Sequence, residues 1–408
     1  MLLKTPKPFS IVIRIYTNLI CWMIYPSERM KMGTAENFVF RQNRKMRLGH
    51  TTGTCAAAAT KAALTMLMTQ DIVGNIKIMT PKGMELELMI EDPRLSDNDA
   101  SCAVRKDGGD DTDCTHGTLI YSHVSLSEKG INIDGGQGVG RVTKNGLDQP
   151  VGNAAINRVP RKMISLSVQE VCEKHGYRKG VDIIISAPEG EELAKKTFNP
   201  RLGIVGGISI IGTSGIVEPM SEKAMVDTMR VEMNVQRLSG SRYFLIVPGN
   251  YGERFVSSSS DISDKDAIKC SNFIGEALDS SVELGAEGIL LVGNIGKMVK
   301  VAGGIMNTHS RYADCRMEIL TSCSLVAGIG NEDLIGIMGS STTDDALDII
   351  DSTGKIKETM DVMIGRIAFH LDNRVRGKIR TGAIVFSSKY GELCRTENAG
   401  ELIGYLRR

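Results

Sequence analysis

The first half of the chain mixes short apolar runs with helical stretches. An Ala-, Leu- and Met-rich segment at 55–69 follows several Thr residues that can cap a helix, so it predicts a helix. Short apolar runs bounded by turn residues predict strands, and a longer segment predicts a second helix; the strands are 76–79, 84–90, 100–105, 118–126 and 181–187, and the helix is 161–175. Hairpins mixed with helices in this way are typical of an α+β domain.

The pattern changes after residue 199. Continuous apolar runs, which are typical of strands buried on both faces, occur at 204–211, 243–248 and 288–292. Helical stretches alternate with them and predict helices from Ser221 onward and at 267–284, 314–325, 344–350 and 361–373, before a late strand at 383–387. This alternation predicts an α/β domain with a mainly parallel sheet. We therefore expect an α+β domain over residues 46–199 and an α/β domain over residues 200–408.

Residues 1–45 lie outside this pattern. Their apolar stretch at 11–25 is interrupted by Arg14 and Asn18, and it is shorter than the roughly 20 residues that a membrane helix needs. Basic residues precede it, as in a signal peptide, but no small-residue cleavage site follows. We expect a poorly ordered extension, or one that is not translated if a later Met is the start. A chain that begins at Met46 is expected to fold.

Composition narrows the class of protein. The 49 Lys and Arg residues nearly balance the 48 Asp and Glu residues, and aromatic residues make up 5%. Nucleic-acid binding driven by charge or stacking is therefore not expected. The nine cysteines form no CxxC or Cys/His metal spacing. This scatter favours reduced thiols in a cytoplasmic protein without a metal site of its own.

Three predicted strands end in Gly-rich loops. Ligands of open α/β sheets bind beyond the carboxyl ends of the strands, where glycine lets the backbone approach them. The candidate cofactor-binding residues are Gly212, Thr213, Gly215, Gly249, Asn250, Gly252, Gly293 and Gly296. No loop completes a dinucleotide or P-loop fingerprint, and tight turns without a ligand are the alternative.

The densest polar segment is 106–117, which holds four carboxylates and His116. Such a cluster could transfer protons or bind a hard metal, or it could be a solvated turn whose Asp side chains cap the backbone. His116 and Asp110 are the candidate acid/base residues. A run of Arg and Lys residues from 141 to 201 stands beside glycines and prolines. These cations could bind carboxylates or phosphates, and a solvated charged surface is the alternative. The candidate substrate-binding residues are Lys106, Arg141, Lys195, Lys196, Arg201 and His309.

Several long segments of the chain resemble the CbiD family of cobalt-precorrin-5B (C-1)-methyltransferases. The matching segments are TTGTCAA at 51–57, the polar segment 106–117, 135–143, EELAKKTFNPRLGIVGGISIIGTSGIVEPMS at 191–221, PGNYG at 248–252, 271–275 and GNIGKMVKVAGGIMNTHSR at 293–311. The resemblance runs from about residue 47 to about residue 316 and is weaker beyond it.

Four residues depart from the family pattern as we expect it: Gly108, Thr112, Gln137 and Asn294. Gln137 and Asn294 stand where titratable residues are expected. Neither position can therefore supply an indispensable acid or base.

The resemblance implies that S-adenosylmethionine is the methyl donor and that an anionic cobalt-tetrapyrrole is the acceptor. Cobalt-precorrin-5B would be methylated at C-1 to cobalt-precorrin-6A in anaerobic cobalamin biosynthesis, with cobalt entering only as part of the substrate. The implied fold has two domains and differs from the common Rossmann methyltransferases. The implied protein is cytoplasmic, with no nucleic-acid or membrane partner, and a homo-oligomer is compatible with it.

Site roles follow from the same resemblance. The Gly-rich loops would hold the donor, and the Arg and Lys residues would bind the acids of the macrocycle. We expect Asp110, His116, Arg141 and Lys196 to face a shared cleft between the domains.

Two other functions compete with methyl transfer. A nucleotide-dependent phosphotransferase or ligase would use the same loops and acidic cluster for a Mg-nucleotide, although the chain has no P-loop. A non-catalytic tetrapyrrole carrier would bind the macrocycle without using the donor, and the sequence leaves this alternative open.

Overall fold

The computed structural model describes residues 38–41, 43–249 and 267–407. The apolar stretch at 11–25 and the candidate residues Asn250 and Gly252 lie outside these ranges. Within them, no helix combines the length and the apolar character needed to cross a membrane.

The N-terminal half is an α+β structure. Its strands are β1 (Phe38–Arg41), β2 (Arg44–Arg47), β3 (Gly49–His50), β4 (Asn75–Met79), β5 (Glu85–Met89), β6 (Glu91–Leu95), β7 (Asp99–Arg105), β8 (Leu119–Ser127), β9 (Ile131–Gly135), β10 (Arg141–Val142), β11 (Gly180–Ser186), β12 (Ile204–Val205) and β13 (Ile216–Val217). Its helices are α1 (Thr52–Thr69), α2 (Arg158–His175), α3 (Gly190–Ala194) and α4 (Asn199–Leu202).

A five-stranded sheet in the order β6-β7-β8-β11-β9 forms the centre of this half, and its only parallel pair is β9 with β11. Helix α1 packs against β7, β8 and α2. Its alanines are fully buried, because small side chains let the helix lie close to both the sheet and α2. The helix predicted at 55–69 is confirmed and begins three residues earlier, where Thr51 caps it by accepting a hydrogen bond from the Thr54 N–H.

The C-terminal half is an α/β structure. Its strands are β14 (Tyr243–Val247), β15 (Ile268–Lys269), β16 (Gly288–Asn294), β17 (Arg380–Ser387) and β18 (Gly391–Arg395). Its helices are α5 (Glu222–Leu238), α6 (Ile274–Glu283), α7 (Ile295–Ala302), α8 (Arg316–Val326), α9 (Asn331–Met338), α10 (Thr343–Ser352), α11 (Ile356–Val375) and α12 (Ala399–Leu406).

The strands of this half form one sheet in the order β15-β14-β16-β17-β18, parallel except for β18. Its inner strands are buried at every position except one terminal residue each, because separate apolar clusters cover the two faces of the sheet. The predicted fold class is therefore confirmed: an α+β half is followed by an α/β half with a mainly parallel sheet.

The apolar run at 204–211 does not join that parallel sheet. Only Ile204–Val205 form a strand, which pairs with β10, and Ile208 and Ile210 make single bridges to Val139 and Ile156. Ile208 and Ile210 are buried in the core of the N-terminal half, and β13 pairs with β3. The architecture therefore changes after residue 217, and the expected boundary at residue 199 is too early.

The structure also differs from the expected start of the folded region and from the helix expected at 267–284. Residues 38–41 and 44–47 form the β1–β2 hairpin, so ordered structure begins before residue 46. The helix expected at 267–284 covers only Ile274–Glu283, because β15 occupies the start of that segment and adds an edge strand beside β14.

Candidate functional site

Loops from the N-terminal sheet meet at one of its edges. Strand β11 runs parallel to β9 and antiparallel to β8, so the ends of β9 and β11 lie beside the start of β8. The acidic loop, residues 106–117, connects β7 to β8, while 136–140 follow β9 and 187–196 follow β11. The segments that carry Asp110, His116 and Lys196 are thus brought together at this edge.

Carboxylates of the acidic loop accept hydrogen bonds from other groups of the protein. Asp107 accepts hydrogen bonds from the Arg47 guanidinium, which lowers the pKa of Asp107 to about 2. Asp113 pairs with Lys106 and also accepts from the N–H and hydroxyl of Thr115. These bonds favour the turn interpretation of the cluster. In the part of the chain that the structure describes, no group of three or more His, Cys, Asp or Glu could hold a metal ion.

His116 and Asp110 are both exposed on this loop. The Nδ1 of His116 accepts a hydrogen bond from the Gly108 N–H at 3.0 Å, so in the neutral ring the proton is on Nε2. His116 is therefore arranged to donate from Nε2 rather than to accept a proton there. One carboxylate oxygen of Asp110 accepts from the Arg47 N–H at 2.6 Å, which fixes the direction of the side chain.

The candidate cations Lys106 and Arg141 each have a carboxylate partner within the protein. The Lys106 side chain is 2% exposed and its ammonium is paired with Asp113. Lys106 thus positions the acidic loop and does not face a ligand. Arg141 is half-exposed and makes a two-pronged contact with Asp134, at 2.7 and 2.9 Å. Its guanidinium lies near the end of β9 but has this carboxylate as its main partner.

The adjacent residues Lys195 and Lys196 differ in their surroundings. Lys195 is exposed and pairs with Glu192 at 2.6 Å, an ordinary surface pair one turn away. Burial raises the pKa of the Cys114 thiol, and the charge of Lys196 opposes that rise. Lys196 therefore lies close to the acidic loop.

Arg201 lies between the two halves rather than at a ligand. Its guanidinium donates to the Ala267 carbonyl at 2.9 Å and pairs with the Glu232 carboxylate, on α5, at 3.2 Å. These contacts account for a cation at position 201 without a substrate.

Sequence analysis missed two residues beside the acidic loop, Arg47 and His50. His50 Nε2 lies 3.1 Å from the Arg105 carbonyl, and burial lowers the pKa of its ring. Both residues precede the Thr-rich helix start, and only the fold brings them to Asp107. Local sequence carries no signal for that contact.

The loop with Gly212, Thr213 and Gly215 packs on the start of α1 in the N-terminal half. The Gly215 carbonyl accepts hydrogen bonds from the Thr51 N–H and the Thr54 hydroxyl. A Cβ at Gly212 would lie 2.2 Å from the Thr51 hydroxyl oxygen. Close packing on the start of α1 therefore explains these glycines.

The other two Gly-rich loops lie together in the C-terminal half. Strands β14 and β16 are neighbours and run in parallel, so Gly249 and the residues around Gly293 and Gly296 lie at the same end of the sheet. Asn294 caps α7 by accepting from the Gly296 N–H. Lys297, which sequence analysis passed over, places its ammonium 3.2 Å from where a Cβ on Gly249 would lie. We call Gly249, 271 and 294–297 the strand-end crevice.

A short segment joins the acidic loop to the C-terminal half. Asp111 accepts from the Met220 N–H at 3.2 Å, and two residues later Glu222 pairs with Arg311. His309 lies in the same loop as Arg311 and accepts its N–H at Nδ1. His309 is therefore near the junction of the halves, on the side of the acidic loop.

The loop that carries Thr308, His309 and Arg311 also contacts the strand-end crevice. The Thr308 hydroxyl donates to the Asn272 side chain at 3.1 Å, and Asn272 follows Ser271, whose carbonyl accepts from Lys297. Side-chain and backbone contacts thus run from the acidic loop to the crevice.

Comparison with known proteins places these features in one family. Residues 39–219 match the family model CbiD, and residues 307–397 match the model CbiD, C-terminal domain. The end of the first match agrees with the change of architecture after residue 217.

Curated relatives match over almost the whole chain. The cobalt-precorrin-5B C(1)-methyltransferase of Ruminiclostridium cellulolyticum is 46% identical over 88% of this chain and 93% of its own. The enzyme of the same name from Alkaliphilus metalliredigens is 44% identical over 91% of this chain and 98% of its own. A crystal structure of the cobalamin biosynthesis protein cbiD from Archaeoglobus fulgidus is 28% identical, covers 72% of this chain and 94% of its own, and has a TM-score of 0.38.

Proposed function

Because this chain belongs to the CbiD family, we propose that it methylates cobalt-precorrin-5B at C-1, with S-adenosylmethionine as the donor, to give cobalt-precorrin-6A in anaerobic cobalamin biosynthesis. The observation that carries the proposal is the 46% identity, over nearly the full length, to a relative of that name. The cobalt belongs to the substrate.

The strand-end crevice fits the donor. It lies where the strand order reverses, since β15 is beside β14 on one side and β16 is beside it on the other. Open α/β sheets bind ligands at such points. Gly249 leaves room for a ligand, and Lys297 supplies a positive charge. When bound, the sulfonium supplies an electrophilic methyl group, and the protein has to hold it in line with the carbon that attacks.

The edge with the acidic loop fits the acceptor. Lys196 is exposed there, and Arg141 presents a guanidinium near the end of β9. Charge-assisted hydrogen bonds to the acids of the macrocycle would orient its ring. Holding two reactants in register supplies much of the rate of such a transfer. His309 lies near this junction and is proposed as a further contact.

Proton handling falls to His116 and Asp110. The His116 Nε2–H can donate to a carbonyl or carboxylate of the macrocycle, because Nδ1 already accepts from Gly108. Asp110 is the better proton acceptor, since its carboxylate is exposed and is oriented by the Arg47 N–H. We also propose the cytoplasm as the compartment, because the described cysteines are free thiols.

Label transfer tests the reaction. The purified protein is incubated with methyl-labelled S-adenosylmethionine and cobalt-precorrin-5B, and the tetrapyrrole is analysed by mass spectrometry. One labelled methyl group per macrocycle, with S-adenosylhomocysteine formed in equal amount, is the expected result. A tetrapyrrole that binds but gains no methyl group would favour a carrier. Activity that needs Mg-ATP would favour the phosphotransferase or ligase.

Variants of the edge test the site. Asp110→Asn or His116→Ala should lower kcat by roughly 10²–10⁴-fold if the two residues handle the proton. Lys196→Ala should instead raise KM for the macrocycle about ten- to a hundredfold through one lost charge-assisted hydrogen bond. Lys179→Ala is the matched control, because Lys179 is an exposed lysine at the opposite edge of the same sheet. Normal turnover by both Asp110→Asn and His116→Ala would show that neither residue takes part in proton transfer.

A further inference from the structure

Lys297 lies at the point where three strand ends of the C-terminal sheet converge. It is on the first turn of α7, which follows β16 directly. Its ammonium donates to the carbonyl of Ser271, just beyond β15, at 3.0 Å. The same ammonium is 3.2 Å from the position of a Cβ on Gly249, just beyond β14. These contacts fix the Lys297 ammonium at the opening of the crevice.

Among the residues that the structure describes, Lys297 has no carboxylate partner. Over residues 38–41, 43–249 and 267–407, no Asp or Glu lies within ion-pair distance of it. Burial lowers its pKa, and Lys300 nearby acts in the same direction. An ammonium has three donors, and the Ser271 carbonyl takes one of them. Desolvating a charge without pairing it is costly, which indicates that another group completes this site.

Lys300, one turn along the same helix, shows what a structural lysine looks like in this fold. Its side chain is 4% exposed, and its ammonium donates to the carbonyls of Thr308 and Ala313, at 3.3 and 2.9 Å. The Asp314 carboxylate lies 3.6 Å away. Lys300 thus has a carboxylate and two carbonyls as partners, whereas the described residues give Lys297 a single carbonyl.

We propose that Lys297 binds a carboxylate of a ligand in the strand-end crevice. The proposal rests on the proposed function, which offers two sources of that group. One is the amino-acid carboxylate of the methyl donor, and the other is an acid side chain of the macrocycle. Gly249 has no side chain beside the ammonium, so a ligand carboxylate can take the position that a Cβ would occupy.

Binding measurements separate these sources. Titration calorimetry compares S-adenosylhomocysteine with 5′-methylthioadenosine, which lacks the amino-acid group, on the full chain and on Lys297→Met. The control is Lys357→Met, which removes a lysine paired with Asp361 on the exposed side of α11. Lys297→Gln, which keeps a donor for the Ser271 carbonyl, answers the same question if the Met variant does not fold.

If the donor supplies the carboxylate, Lys297→Met weakens S-adenosylhomocysteine about ten- to a hundredfold and leaves 5′-methylthioadenosine unchanged. If the macrocycle supplies it, both nucleosides bind as before and KM for cobalt-precorrin-5B rises by a similar factor. A folded variant with all three values unchanged overturns the inference. Wild-type protein that binds neither nucleoside and transfers no methyl group would instead overturn the proposed function.

Discussion

At the scale of single residues, the acidic loop depends on one ion pair. The Arg47 guanidinium lowers the pKa of Asp107 to about 2, from an ordinary value of 3.8. Because the folded state favours the charged carboxylate, the pair stabilises the protein fully above about pH 4. That contribution is lost as the pH falls through about 2.

Replacing this carboxylate should have a pH-dependent effect. Asp107→Asn should lower the free energy of unfolding by about 1 kcal/mol at pH 7, after allowance for solvent screening of a side chain that is 36% exposed. The difference from wild type should shrink between pH 4 and pH 2. Urea unfolding across this range measures it, with Asp97→Asn as a control in an exposed turn. A deficit that stays constant with pH would contradict the prediction.

At the scale of elements, the loop between β12 and β13 packs against the start of α1. Gly212 has φ +139 and no room for a side chain, because a Cβ would meet Thr51. Gly206, six residues earlier, has φ +85 but open space around it. The two glycines therefore share an unusual backbone and differ in packing.

This difference in packing predicts how much an Ala substitution at each glycine destabilises the protein. Gly212→Ala should destabilise the protein by roughly 2–4 kcal/mol through overpacking and strain, and Gly206→Ala by about 1 kcal/mol through backbone strain alone. Urea unfolding gives both values, and calorimetry with S-adenosylhomocysteine gives the donor affinity. We expect donor affinity to be retained in folded Gly212→Ala. A stable variant that has lost the donor would restore the ligand interpretation of this loop.

At the scale of the whole molecule, Arg201 ties the two halves together through Glu232 and the Ala267 carbonyl. Arg201→Met should lower the free energy of unfolding by about 1.5–3 kcal/mol. It should also lower kcat while S-adenosylhomocysteine still binds, because transfer needs both reactants in register. Denaturation and steady-state kinetics test this against Arg178→Met, an exposed control. Unchanged kcat in a destabilised variant would show that the halves need not be aligned.

Local pattern was enough for much of the fold. The apolar pattern predicted α1, α2 and the inner strands of both five-stranded sheets within a few residues, since burial on one or both faces leaves a repeat in the sequence. The edge strands of these sheets, β6, β9, β15 and β18, were not predicted. The long matching segments likewise identified the family before any contact was known. The acidic loop and the two Gly-rich loops after β14 and β16 were found in the same way.

Tertiary structure decided the rest. The run at 204–211 has the composition of a buried parallel strand, yet it packs in the N-terminal core because its partners are Val139 and Ile156. Arg47 reaches Asp107, and Lys297 reaches Ser271, only after distant segments are folded together. Such contacts depend on residues far apart in the chain, so spacing along the sequence does not encode them. Sequence determined the main helices, the inner strands and the family, and packing decided which partners the charged side chains find within the protein.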